Sequence, residues 1–232
     1  MEPDIVENLR AVRAAIAESE RISGRPAGSV ELVAVSKTHP AEVIGQAVDA
    51  GQFLFGENRV QEAKAKIPDL PAILRWHMIG HLQSNKIRQA LPLFEVIHGV
   101  DSVELLEDIQ RIANELGLFP RVLLQVNVAG VSSKFGFVPE KLLPQIERIV
   151  RADRVQIEGL MTIPPIAANP ENSRKYFVAS RDLRDRLAKE FRFSLPHLSM
   201  GMSADYRVAI EEGATLVRVG TAIFGERRPN RL

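Results

Sequence analysis

The sequence predicts an α/β chain folded as a single (β/α)₈ barrel, and three observations point there. Short apolar runs alternate with amphipathic stretches along the chain without interruption. About eight such strand–helix units fit in 232 residues, close to the roughly 250 residues such a barrel uses. No Gly-x-Gly-x-x-Gly follows the first strand, which weakens the rival open, doubly wound sheet. Strands separated by helices imply parallel pairing with right-handed crossovers. No linker, low-complexity tract or short-period repeat divides the chain, so residues 1–232 read as one domain.

The elements follow in order. Ile5, Leu9, Val12 and Ile16 recur at helical spacing with charges opposite, predicting an amphipathic helix that ends near Gly24. Residues 30–36 form the first strand, with small and β-branched residues that suit burial on both faces. Pro40 opens a helix that buries Val43, Ile44, Ala47 and Val48 and stops at Gly51. Phe53 to Phe55 is a short second strand, and Gly56, Glu57 and Asn58 turn into a helix from Val60 to Ile67. Leu74 to Ile79 is a strand, Gln83 to Leu91 a helix, and Val96 to Val100 a strand. Val103 to Leu116 is a helix stopped by Gly117, followed by a strand over Arg121 to Val128 and a helix over Leu142 to Val150. Val155 to Met161 is a strand, Glu171 to Lys189 a long helix, and His197 to Met200 a strand. Ala204 to Glu212 is a helix stopped by Gly213, and Leu216 to Val219 is the last strand.

Composition narrows the function classes. Hydrophobic residues make up 45%, enough for a substantial core, and 30 basic against 29 acidic residues leave a net charge of +1. That balance argues against a nucleic-acid or membrane-surface partner. There is no cysteine, which excludes disulfides and cysteine–zinc sites and agrees with an intracellular, cytoplasmic location. Met1 to Arg13 mixes charges with apolar residues, unlike a signal peptide, and no apolar run is long enough to span a bilayer.

The reactive candidate is Lys37, at the end of the first strand. The carboxyl ends of barrel strands carry the reactive groups in this architecture. A partly desolvated amine there loses its charge more readily and can attack a carbonyl to form a Schiff base. On that stretch alone, a solvent-facing lysine ending a strand is the better explanation. Two further stretches change the weighting: Ser199-Met-Gly-Met-Ser203-Ala-Asp205 and Val217-Arg-Val-Gly220-Thr-Ala-Ile-Phe-Gly225. They follow strands seven and eight, where such barrels bind phosphate. Glycine admits backbone N–H groups close to an anion, and Ser203 and Thr221 add hydroxyls. Ordinary punctuation is the alternative, with Ser203 capping its own helix. Arg218 is the only charge in the last strand, so it points inward beside the phosphate or pairs with a barrel carboxylate such as Glu158. A lysine with a phosphate site leaves two chemistries: a lysine aldolase acting on a phosphorylated carbonyl, or pyridoxal 5′-phosphate (PLP) held as an internal aldimine. An always-charged guanidinium facing a pyridine nitrogen requires that nitrogen to be an unprotonated acceptor.

Five motifs then stand in order: Ala34-Val-Ser-Lys37-Thr, Phe55-Gly-Glu-Asn58-x-Val-Gln-Glu62, Trp76-His-x-Ile-Gly80-x-Leu-Gln-x-Asn-Lys86, Gly201-Met-Ser-x-Asp205 and Arg218-Val-Gly-Thr-Ala-Ile-Phe-Gly225. From about residue 30 to its end the chain resembles the pyridoxal phosphate homeostasis proteins and, more distantly, the barrel domain of alanine racemase. The resemblance implies one barrel carrying PLP on Lys37. Ser203, Gly220 and Thr221 would hold the phosphate, Arg218 would face the pyridine nitrogen, and Asn58 would lie near the ring hydroxyl. His39 and Arg59 depart from the lysine and tyrosine common in the family, at positions outside the cofactor motif.

The implied function is a monomeric protein that buffers PLP or hands it to apo PLP-dependent enzymes, without strong catalysis of its own. The alternative is a PLP-dependent amino-acid racemase or decarboxylase. The racemase draws its second base, a tyrosine, from a separate domain. This chain ends at Leu232 soon after its last strand, and its only tyrosines, Tyr176 and Tyr206, fall on outer helices. Other candidates carry less. His77 and His81 lack a third metal ligand, so no metal is expected. Gln83, Asn85 and Lys86 read as a helix start at the mouth, and Lys134 as a residue of a loop after strand five. Arg181, Arg184 and Arg186 read as an exposed helix face.

Overall fold

The computed structural model describes residues 3–131, 135–192 and 194–226. Eight parallel strands close on themselves in sequence order, β1 pairing β8. The chain runs α1 (Ile5–Ile22), β1 (Glu31–Val35), α2 (Ala41–Asp49), β2 (Leu54–Glu57), α3 (Val60–Lys66), β3 (Arg75–Met78) and α4 (Ile87–Ala90). It continues β4 (Val96–Val100), α5 (Val103–Leu116), β5 (Arg121–Gln125), α6 (Pro139–Leu142), α7 (Ile146–Val150), β6 (Gln156–Met161) and α8 (Arg174–Phe191). β7 (His197–Met202), α9 (Tyr206–Glu211), β8 (Leu216–Val219) and α10 (Thr221–Phe224) complete it.

The barrel expected from the alternating pattern is therefore present, and the differences are local. β2 does not stop at Phe55. Gly56 and Glu57 pair with His77 and Met78, so the stretch read as a turn is the last part of a strand. The helix expected over Gln83–Leu91 begins as a tight turn at Ser84–Lys86 before α4. The one expected over Leu142–Val150 is split into α6, a tight turn Leu143–Gln145 and α7. Pro144 sits in that turn, where its missing N–H cannot continue an α-helical ladder. Pro170 likewise opens a tight turn, and α8 begins only at Arg174. Pro40 is the residue before α2 rather than its first member.

Two apolar layers form on either side of the barrel wall. Val33, Val35, Leu54, Ile79, Val96, Leu123, Met161 and Leu216 fill the interior. Ala34, Phe55, Met78, Leu124, Leu160, Val217 and Val219 face the surrounding helices. Alternation along a strand assigns these faces, so after Val33 and Val35 the next inward position is Lys37. α1 packs on α2, α9 and α10, and Asn8 Nδ2 donates to the Ile223 carbonyl at 2.8 Å. The helix that precedes the barrel thus steadies the short helix after its last strand.

At the opposite end from Lys37, charges close the barrel floor. Glu31, Arg75, Glu95, Arg121 and Glu158 form one chain of ion pairs, with contacts of 2.5, 2.6, 2.6 and 2.8 Å in that order. The Arg75 guanidinium holds the Glu95 carboxyl below the usual range. Glu158 is committed to Arg121 here, so it is not the partner of Arg218.

One strand contact admits only glycine. A Cβ on Gly159 would lie 1.9 Å from the His197 carbonyl oxygen and 2.7 Å from its carbon, both backbone atoms of the neighbouring strand. Gly159→Ala is expected to force β6 from β7 and cost about 3 kcal/mol, as overpacking against immovable atoms does. Urea denaturation checks this, and a loss under about 1 kcal/mol would mean the pair can slide apart cheaply.

Candidate functional site

The mouth at the carboxyl ends of the strands gathers most of the residues singled out from the sequence. Lys37 is half-buried, two residues beyond Val35 at the end of β1, the position that alternation gives the inward face. Val33 lies beside Arg218 in the β1–β8 register. Gly220 presses on β1 as well, where a Cβ would meet Val35 Cβ and the Val35 carbonyl at 3.2 Å. The β1–β8 pair thus brings Arg218 beside Val33 and Gly220 beside Val35, two residues before Lys37. Asn58 follows β2 and lines a cleft of about 440 Å³ with Gly80, His81, Gln83 and Lys86. Gly80 makes that approach possible, since a Cβ there would fall 2.4 Å from the Asn58 carbonyl oxygen.

Ser203 has a different role from the helix cap considered above. Its Oγ accepts hydrogen bonds from the N–H groups of Gly220 and Ala222, both at 3.2 Å. Asp205, not Ser203, precedes α9, and its carboxylate accepts from the Met202 N–H at 2.8 Å. Two backbone donors at the start of α10 thus converge on one oxygen, with Thr221 between them. A phosphate oxygen needs such a convergence of donors. Gly201 (φ +92°) makes the sharp exit from β7 possible, because a side chain there would strike Ala209 and Tyr206.

Arg218 is buried and makes no ion pair among the described residues. It donates through Nη1 to Ser199 Oγ and through Nη2 to the Thr162 carbonyl at 2.9 Å. Burial lowers its pKa to about 10, against a smaller opposing pull from Asp205. A buried cation without a carboxylate is costly. The residues present fit an anionic cofactor with an acceptor nitrogen: an unmatched buried guanidinium beside a converging pair of N–H donors.

Behind the wall, a second cluster grips the Lys37 turn, and sequence reasoning missed it. Lys66 Nζ reaches the carbonyls of Ser36 (3.1 Å) and His39 (3.0 Å) and the carboxylates of Glu57 (2.9 Å) and Glu62 (3.0 Å). Glu57 is wholly buried and also accepts from Ser36 Oγ at 2.6 Å. Glu62 accepts the Thr38 N–H. Thr38 has φ +68°, a conformation a β-branched residue adopts only when its surroundings impose it. The tilted ring pair His39–Phe224, 4.9 Å between centroids, links this turn to α10. The Phe55–Gly–Glu–Asn motif could have revealed Glu57, had Gly56 and Glu57 been read as strand.

The remaining candidates separate. His77 is buried in the barrel, whereas His81 is half-exposed, bonded to Asp101 at 2.8 Å and stacked on Phe135. Among the described residues no three metal-binding side chains come together. Tyr176 lies in α8 and Tyr206 opens α9, both outside the barrel wall. Arg181 bonds Glu212 at 2.6 Å, so part of that basic run ties α8 to the segment after α9. Lys134 lies outside the described residues. No helix is long and apolar enough to cross a membrane, among the described residues.

Burial raises the Glu57 pKa, with Ser36 and Lys66 acting against the shift. A carboxyl raised in the folded state stabilises the fold at low pH and loses that contribution as pH climbs through its folded pKa. Removing the ammonium leaves Glu57 charged and unpaired at neutral pH. Lys66→Met is therefore expected to cost about 3 kcal/mol near pH 7.5 and clearly less near pH 5. Urea melts at both pH values check it, and an equal loss at each would sink this account.

The sequence matches the family described as alanine racemase, N-terminal domain, over residues 8–228. It is 44% identical over 223 residues to the pyridoxal phosphate homeostasis protein of Aquifex aeolicus, covering 96% of this chain and 98% of that one. The Escherichia coli protein of the same name is 40% identical over 234 residues, with 97% of each chain covered. PipY of Synechococcus elongatus, solved with PLP bound, superposes with a TM-score of 0.84 at 42% identity, covering 96% of this chain and all of that one. An alanine racemase from Clostridium difficile has a TM-score of 0.73 at 16% identity, over 97% of this chain and 58% of its own, a likeness of fold alone.

Proposed function

The chain belongs to the pyridoxal phosphate homeostasis protein family, and from that premise we propose that it carries PLP on Lys37 and releases it to apo PLP-dependent enzymes in the cytoplasm. PLP is its cofactor and PLP homeostasis its role, in keeping with its relatives and with PipY, solved holding PLP. The observation that carries the residue assignment is the coincidence at one strand pair of an inward lysine, an unmatched buried arginine and a converging pair of N–H donors.

When bound, the cofactor supplies an aldehyde that condenses reversibly with the Lys37 amine and expels water. The protein's own groups do the rest. Gly220, Thr221 and Ser203 offer backbone and hydroxyl donors to the phosphate. Arg218 offers only donors, so it suits a ring nitrogen kept as an acceptor. Asn58, at the rim, stands on the β2 side of the mouth for the ring hydroxyl. Glu57, Glu62 and Lys66 hold the turn that presents Lys37 without touching its inner face.

This arrangement favours carriage over catalysis. A carboxylate on the ring nitrogen would favour its protonated, electron-withdrawing form, and Arg218 stands in its place. The two tyrosines lie on outer helices and reach no inward position. The racemase or decarboxylase reading stays as the alternative, and a turnover assay decides between them. Turnover on alanine, serine and other common amino acids is expected to stay below about 1 s⁻¹, the low end of ordinary enzymes. A higher rate would favour the alternative.

Borohydride reduction followed by peptide mapping tests the lysine. The label is expected on the peptide containing Lys37, and Lys37→Ala is expected to lose the visible absorption band. A label found mainly on Lys86 or Lys134 would overturn the assignment.

A further inference from the structure

Below Arg218 the barrel interior holds two histidines that the reading above does not use. His98 is wholly buried, with Nδ1 2.9 Å from Ser199 Oγ and Nε2 3.0 Å from His77 Nδ1. His77 is buried too, and its Nε2 has no partner. The line Arg218–Ser199–His98–His77 draws on β8, β7, β4 and β3 and crosses the barrel from one wall to the other.

We propose that His98 and His77 are positioning residues for Arg218: with Ser199 they form a hydrogen-bonded relay of one fixed direction that locks the guanidinium in place beneath the cofactor. The last clause rests on the PLP reading; the relay itself does not.

The direction follows from proton counting. A guanidinium only donates, so Ser199 Oγ accepts from Arg218. Ser199 is wholly buried and owns one proton. If His98 Nδ1 also donated to it, that proton would have no acceptor among the described residues, a costly defect. The hydroxyl therefore donates to His98 Nδ1. His98 then carries its proton on Nε2 and donates to His77 Nδ1, and His77 carries its own on Nε2. Only that last N–H is left unpaired, at the end of the line farthest from Arg218.

Neither ring can take a second proton without breaking the sequence. A second proton on His98 would oppose the Ser199 hydroxyl and add a cation beside a buried cation. Burial depresses both imidazoles, His98 well below its ordinary value and His77 to about 3. Glu95 pulls His77 upward, while Arg75, Arg121 and His197 push it down. Each bond in such a line polarises the next, so Ser199 becomes a better acceptor for Arg218 than an isolated hydroxyl.

Two measurements test the relay. In the ligand-free protein labelled with ¹⁵N-histidine, both rings are expected to show a protonated Nε2 and bare Nδ1, with no titration between about pH 5 and 8. A protonated Nδ1 on His98, or an imidazolium in that range, would overturn the proposal whatever the protein binds. In the PLP-loaded protein, His98→Phe fills the space without the bonds. It is expected to keep the borohydride label on Lys37 but to move the pH midpoint of the visible band upward by about one unit. His98→Asn keeps an acceptor facing Ser199 and is expected to restore most of the parental midpoint. A parental midpoint in His98→Phe would reduce the histidine to a space-filler. If the wild-type chain takes up no PLP, the carrier reading fails, and the nitrogen spectra alone decide the relay. They decide it equally if His98→Phe does not fold.

Discussion

A guanidinium sealed inside a closed barrel is the constraint around which the site is arranged. Arg218 has lost its water and has found a hydroxyl and a carbonyl rather than a carboxylate. An ion in such surroundings holds its charge only if every nearby group is a well-aimed acceptor and no other cation intrudes. That single demand explains several features. Thr162 turns its carbonyl to the guanidinium, Ser199 gives it a hydroxyl, and His98, lowered first by burial, is lowered further by the cation. An anionic ligand beside Arg218 would relieve its unmatched charge.

The barrel floor answers the same problem in the opposite way. Five alternating charges, from Glu31 to Glu158, satisfy one another and remain partly wet. Such pairs contribute modestly to stability because solvent screens them. Their use here is in consuming carboxylates. Glu158, the acid that strand position would offer to Arg218, is taken by Arg121 instead. Charge is neutralised at the floor of the barrel, while Arg218, toward the mouth, makes no ion pair among the described residues.

Much of this was legible in the sequence, for reasons that also mark where legibility ends. The eight-unit alternation survives because buried parallel strands read as apolar runs and surface helices carry a 3.6-residue period. Its errors fall where local chemistry competes. Pro144 divides an expected helix, and Gly56 looks like a turn although it is a strand residue opposite His77. In the site, Lys37, Arg218 and Gly220 stand out because a charge or a glycine at a strand end is conspicuous. Ser203 was conspicuous too, but its partners at Gly220 and Ala222 were not, since nothing local says which N–H groups will converge on it. His98 and Ser199 are 101 positions apart, and Lys66 and Ser36 are 30 apart. Each residue alone has a bland explanation. Only closure of the barrel makes them partners.

The two lysines around the first turn illustrate how burial separates similar groups. Lys66 and Lys37 approach the same strand end from opposite faces of the wall. Behind it, the Lys66 ammonium is ringed by two carbonyls and two carboxylates, more acceptors than it has protons. Those four contacts tie it to the Lys37 turn, so its role is structural. Its charge is also what allows Glu57 to sit buried against Ser36. Lys37 follows β1 at the position that alternation gives the inner face, beyond Val33 and Val35, and Arg218 pairs with Val33 in that strand. The strand's two-residue period thus assigns the two lysines to opposite faces of the wall, and Thr38, with φ +68°, lies in the turn that Glu62 and Lys66 hold.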